Sequence, residues 1–298
     1  VTMEPWDTGE SGRPTFRSVD MAGFTGGAGA WTRGTLSGTT FTPNPSSGNI
    51  YRTSQSFCGL WPVESGYPYG RFGGRKDLSN SSGQGTQTLT ANYEWADEGG
   101  FDYIYCDAGN PFDVYGVFPT NLISGGMNAR LFVMSNWLAA FTMRGLRFQS
   151  GHWSVAFSNG STSATRRDLW VYDNQFEAVW GGVRLSASAN SFGDPNAAGA
   201  YGDGSFLKTG AGIERVRIEY NLFKEIGRDA VSSFGDGHLN DLRIRRNRII
   251  SVCQALSTGG IYLSEAHTTN GRRGLITENF ISDVGKDNWY NGDGKALY

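Results

Sequence analysis

The sequence predicts an all-β solenoid, in which short parallel strands stack pass upon pass, with an antiparallel β excursion in the N-terminal half. Three observations predict it: a glycine- and aromatic-rich, charge-poor composition, a strand–corner–strand motif recurring in four aligned copies, and the lack of any helical pattern of ordinary length. Glycine supplies 43 of 298 residues, about twice its usual share of about 7%. Aromatic residues make up 13% and charged residues only 18%, the latter below a typical figure of about 25%. This composition excludes a disordered chain and a coiled coil. The glycines keep no three-residue period and lie among aromatic and β-branched residues, which excludes collagen and low-complexity linkers as well.

Charge removes further classes. With 26 basic and 28 acidic residues the net charge is −2, so the basic footprint of a nucleic-acid binder is missing. The longest apolar runs, Leu131–Met134 and Trp137–Phe141, are separated by Ser135-Asn136 and fall far short of a membrane span of about 20 residues. Neither an initiator Met nor a signal-like segment opens the sequence. The cysteines Cys58, Cys106 and Cys253 have no metal-like spacing and allow at most one internal disulfide, so no cysteine-based function is read here.

In chain order, Val1–Met3 and Arg13–Phe16 read as an early pass: a strand, a glycine-containing corner and a second strand. Residues 31–126 read as a β-rich excursion, with strands at Asn49–Arg52, Thr86–Thr90, Phe101–Tyr105 and Val114–Phe118 between Gly, Asn and Pro turns. Residues 127–298 read as regular stacked passes belonging with the rest to one domain. There the aligned motif runs Leu169, Val171, Asn174, Phe176; Val216, Ile218, Asn221, Phe223; and Leu242, Ile244, Asn247, Ile249. A shorter copy has Ile276, Asn279 and Ile281, and a degenerate one, Phe141 to Phe148, puts Leu146 where the others have Asn.

The aligned asparagines are 47, 26 and 32 residues apart, the longest interval holding a polar, Gly-rich insertion from Ser186 to Gly212. Uneven spacing around a fixed motif excludes rigid-period repeats and suits stacked passes that tolerate loops at their corners. Each pass would bury its apolar side only against its neighbours. The asparagine is expected to adopt unusual backbone angles at the corner and to bond the next asparagine in an amide ladder. A second short strand follows each motif: Val155–Phe157, Val183–Leu185, Val231–Ser233, Ile261–Leu263 and Leu297-Tyr298. Tyr298 falls inside such a strand, and a bare apolar end needs a cap, so the chain reads as a segment of a longer one or as one capped by a partner.

These motifs resemble the right-handed parallel β-helix superfamily, the pectate-lyase-like group of carbohydrate-active and tailspike-type proteins, whose repeats pair apolar-x-apolar-x-x-Asn-x-apolar with Gly-Ile-x-Leu. Gly260-Ile261-Tyr262-Leu263 fits the second element, and residues 141–298 carry the likeness. The resemblance implies a right-handed parallel β-helix engaging an extracellular polysaccharide, with cleavage by a lyase or glycoside hydrolase. It equally covers a non-catalytic, receptor-binding tailspike or adhesin on a virion surface, such as a viral homotrimer.

Candidate site residues follow from the alignment. The outward position of the second strand reads Arg184, Ser232, Tyr262 and Tyr298 in successive passes, a face suited to a long polymer. Just beyond it, Asp236 and His238 align beside Glu265 and His267, which gathers two of the three histidines (the other is His152) at one corner. Carboxyl groups one pass apart would approach the separation of about 5–5.5 Å used by retaining glycosidases. Asp236 and Glu265 are therefore the candidate acid–nucleophile pair, with Asp229 in reserve. For a lyase, Lys208, Arg228 or Lys295 would neutralise a uronic carboxylate, and His238 or His267 would remove the proton.

No cofactor follows from these residues. Lyases of the resembled group often use calcium, but a dense cluster of oxygen ligands is lacking, with only Asp203 and Asp236 in Gly-rich loops. The Gly-His-Gly signature of the polygalacturonase branch is missing, since Leu239 follows His238. A second candidate surface interleaves Trp61, Tyr67 and Tyr69 with Arg71, Arg75 and Lys76, either as sugar platforms or as ring–cation pairs within the loop.

Overall fold

The computed structural model describes residues 2–3, 12–17, 27–54, 74–80, 85–115, 130–135, 140–159, 165–187, 212–234, 238–253, 259–263, 274–284 and 295–297. They are almost wholly β, in three sheets, two of them parallel throughout. The first orders Thr2–Met3, Phe141–Arg144, Arg166–Tyr172, Gly212–Glu219, His238–Arg245 and Leu275–Thr277 side by side. The second contains both strands that follow each corner, among them Gln175–Ala187, Leu222–Ile226, Val231–Phe234, Arg248–Val252, Gly259–Leu263 and Phe280–Val284.

The pairing register follows the asparagine alignment. Leu169 lies beside Val216 and Val216 beside Leu242, while Val171, Ile218 and Ile244 form the next column. All six are buried, because alternation along a strand sends every second side chain to the same face. The apolar residue after each corner stacks most regularly. Phe16, Phe148, Phe176 and Phe223 form a pile of nearly parallel rings with centroids 5.2, 5.1 and 4.7 Å apart. Each offset ring pair adds about 0.5–1.5 kcal/mol beyond simple burial.

The asparagines do form a ladder. The Oδ1 of Asn221 accepts from Asn174, that of Asn247 from Asn221 and that of Asn279 from Asn247, each time from both the backbone N–H and Nδ2 at 2.9–3.1 Å. Leu146 holds the same place one rung earlier, and its N–H donates to Asn174 Oδ1 at 3.0 Å. The backbone expectation needs correction. The left-handed angle falls on the residue before the asparagine, at Gly145, Asp173, Tyr220, Arg246 and Glu278, with φ between 56° and 69°. The asparagine instead turns its amide inward to satisfy buried donors and acceptors at the corner.

The third sheet, mostly antiparallel, takes the order Thr40–Pro43, Thr32–Ser37, Ile50–Thr53, Phe101–Tyr105, Glu94–Glu98 and Gly74-Arg75. Gly99 and Gly100, with φ of 61° and 80°, close the hairpin between Glu98 and Phe101, as a two-residue primed turn requires. Two expected strands are corrected, Val114–Phe118 only over its first two residues, since 116–118 lie outside the described residues. Residues 111–115 form a short α-helix, because Asn110 Oδ1 caps the Phe112 N–H at 3.0 Å and Pro111 suits a first helical position. Residues 86–90 join no ladder. Gln87 bonds across to Asp77, and Glu94 Oε2 holds the N–H groups of Thr90 and Ala91. Cys106 and Cys253 are buried free thiols. Among the described residues no helix is long and apolar enough to cross a membrane.

Candidate functional site

The second sheet carries the column expected to meet a polymer. Arg184 pairs with Ser232 and Ser232 with Tyr262. Tyr298, Asp236, Glu265, His267, Lys208, Asp203, Trp61, Tyr67 and Tyr69 lie outside the described residues, as do the side chains of His238, His152 and Lys295. The backbone of His238 opens the strand His238–Arg245 of the first sheet, where it pairs with Gly212. Ser233 pairs with Leu263, so the second-sheet strands that end at Phe234 and Leu263 lie on adjacent rungs.

Burial alters how this column reads. Ser232 is 0% exposed and Ser233 3%, so both faces of the strand are covered at this point, while Arg184 and Tyr262 are half-buried. Asp229 is fully buried. Its Oδ1 accepts from the Gly259 N–H at 3.3 Å, its Oδ2 lies 3.3 Å from Arg228 Nε, and its carbonyl accepts from the Gly182 N–H at 3.0 Å. These bonds tie three successive rungs together, which is a structural assignment for the acid held in reserve.

The first sheet presents a feature that the sequence reading did not single out. Trp170, Tyr172, Arg217, Glu219, Tyr220, Arg243 and Arg245 line a groove of about 350 Å³ on its outer face. They come from adjacent rungs, Trp170 beside Arg217 beside Arg243, and Tyr172 beside Glu219 beside Arg245. The signal was present in the motif, whose positions between the buried residues read Trp, Arg, Arg and Tyr, Glu, Arg. Alternation sends them outward just as it sends their neighbours inward.

Most charges on this face are held in pairs. Arg217 donates to the carbonyl of Asp241 at 2.6 Å and to its Oδ2 at 2.8 Å, and this bonding holds the Asp241 carboxyl below the usual carboxylate range. Arg245 reaches both oxygens of Glu219, at 2.9 and 3.2 Å. Arg215 forms a fork on Asp168 at 2.5 and 2.6 Å, which lowers the Asp168 pKa. At the corner, Arg246 bonds both Glu278 and the Tyr220 hydroxyl, and Glu278 is thereby held below its ordinary range. Arg243 has a looser contact, 3.5 Å to Asp241 Oδ1, with its side chain 43% exposed. With its carboxylate engaged by Arg245, the groove is suited to ring stacking and anion binding rather than to proton transfer. No protein-family model, curated protein or solved structure matches this chain.

Proposed function

We propose that the chain is a right-handed parallel β-helix that binds an extracellular polysaccharide and cleaves it, as a lyase or a glycoside hydrolase. In this reading Asp236, His238, Glu265 and His267 do the chemistry, and Arg184, Arg228 and Tyr262 are neighbouring contacts for the sugar chain. The observation that carries it is the pairing of Ser233 with Leu263, which sets on adjacent rungs the strands that precede the two acid- and histidine-bearing stretches of the sequence. Rungs about 4.8 Å apart match the carboxyl separation of retaining glycosidases. The reading requires no cofactor, and calcium is a variable for the assay.

A panel of polysaccharides, followed for both reducing ends and the absorbance of unsaturated sugars, tests it. Reducing ends alone mean hydrolysis, both signals mean elimination, and Glu265→Gln should abolish turnover if hydrolysis is the chemistry. A second reading, a non-catalytic tailspike or adhesin acting as a homotrimer at a virion or cell surface, is favoured by the groove on the first sheet, whose rings and paired charges offer contact area without a free acid. Binding without either product signal selects it.

A further inference from the structure

We infer that the outer face of the first sheet is a glycan-binding surface of its own, one that holds a polysaccharide strand bearing carboxylate or sulfate groups, with Trp170 as the ring platform and Arg243 as the anion reader. Its lining residues are other than those invoked above, and it does not depend on those residues being catalytic.

The ring comes first. Trp170 is 47% exposed and Tyr220 49%, although burying an aromatic side chain would stabilise the fold. Arg246 already covers Tyr220, with its guanidinium carbon 5.5 Å from the ring centroid, which leaves Trp170 as the more open platform. Sugars present apolar C–H faces to such rings. The groove volume of about 350 Å³ sits at the lower end of the range of small-ligand sites, about 300–1,000 Å³, enough for a short stretch of a chain that continues across the sheet.

Charge then selects the kind of sugar. Three arginines and one glutamate line the groove, so the lining is cationic although the whole chain carries −2. Arg217 and Arg245 spend their donors on Asp241 and Glu219. Arg243, whose one contact among the described residues is at 3.5 Å, has donors left for a ligand. It stands two rungs from Trp170, roughly 10 Å at the usual strand spacing, so a chain crossing the strands can stack one sugar on the ring and present a charged substituent to the guanidinium further along. Each lining cation is arginine, whose planar fork matches carboxylate and sulfate oxygens in a way that a lysine ammonium does not. A nucleic acid would also offer anions, but the chain lacks the excess of basic residues that phosphate-backbone binding demands.

Titration of the intact chain with polygalacturonate, dextran sulfate, neutral dextran and a single-stranded oligonucleotide at fixed salt tests the inference. At least one anionic polysaccharide should bind about tenfold or more tightly than dextran, and the better of the two identifies carboxylate or sulfate as the group read. Trp170→Ala and Arg243→Gln should each weaken that binding about tenfold, Arg243→Lys less, and Trp170→Phe should largely retain it. Arg248→Gln, which removes an exposed arginine from the neighbouring sheet, should bind as the parent does and so controls for net charge. Equal binding of dextran, preference for the oligonucleotide, or parental affinity in both Trp170→Ala and Arg243→Gln would overturn the inference.

Discussion

The Oδ1 of Asn221 accepts two hydrogen bonds from Asn174, one from its backbone N–H at 3.0 Å and one from its Nδ2 at 3.1 Å. Asn221 in turn donates through Nδ2 to the carbonyls of Val171 and Glu219, so one buried side chain satisfies polar groups on two rungs. Replacing it with Leu, the residue that position 146 tolerates one rung before Asn174, would leave several of these groups dry and unpaired, at about 1–3 kcal/mol each. Asn221→Leu is expected to cost about 3–5 kcal/mol in urea unfolding. Asn279→Leu, at a half-buried corner with fewer dependants, should cost less than half as much. Equal losses would mean that the ladder contributes little beyond packing.

Gly182 shows how closely the second sheet packs. A Cβ there would strike the Ala230 carbonyl and lie 2.6 Å from Cε1 of Phe223, a ring already stacked 4.7 Å from Phe176. The ring cannot withdraw without opening the aromatic pile. Gly182→Ala should therefore lower stability by about 1–3 kcal/mol, although alanine elsewhere in a strand usually favours folding over glycine. Thermal unfolding of this single variant decides the point, and an unchanged midpoint would show that Phe223 has room to move.

Why the register was legible and the groove was not comes down to the same residues. Leu169, Val216 and Leu242 announce a buried column because apolar identity and alternation agree, and the asparagines fix its phase. The residues between them, Trp170, Arg217 and Arg243, were passed over because an outward position carries no constraint from packing. It shows its meaning only when neighbours stand side by side. The left-handed corner positions were hidden for a different reason: Asp173, Tyr220, Arg246 and Glu278 share a backbone angle but no chemistry, since contacts to the adjacent rungs impose it. The helix at 111–115 depends on one capping contact from Asn110, a local choice that alternation cannot reveal.

Glu94 gives the third sheet a dependence on acid. Burial alone would raise its pKa, but the Thr90 N–H at 2.6 Å, the Lys76 ammonium at 2.9 Å and the Ala91 N–H at 3.0 Å outweigh that and hold the carboxyl below its ordinary value. A carboxyl whose folded pKa is depressed contributes stability above its unfolded pKa, about 4.3 for glutamate, and that contribution is lost as pH falls through the folded value. Glu94→Gln should thus lower stability at neutral pH and flatten its decline on the acid side, so that parent and variant converge as the solution is acidified. Stability curves that stay parallel down to the acid limit would remove Glu94 from the account.

Asp241 offers a test of the groove that works by gain rather than loss. Its carboxylate holds Arg217 at 2.8 Å and lies 3.5 Å from Arg243, so it competes with any incoming anion for both guanidinium groups. The Asp241 carbonyl, which accepts from Arg217 at 2.6 Å, survives replacement by Asn, so Arg217 should keep its direction while losing its counter-charge. The residue is partly exposed, and the two surface ion pairs it loses are worth about 0.2–1 kcal/mol each, which limits the damage to folding. Asp241→Asn should then raise affinity for the anionic polysaccharide that binds best by roughly two- to fivefold at low salt, with no gain for neutral dextran. The gain should shrink in the double variant carrying Arg243→Gln, which leaves only the part that acts through Arg217. Unchanged or weaker binding by Asp241→Asn at low salt would place the anion contact elsewhere on the chain.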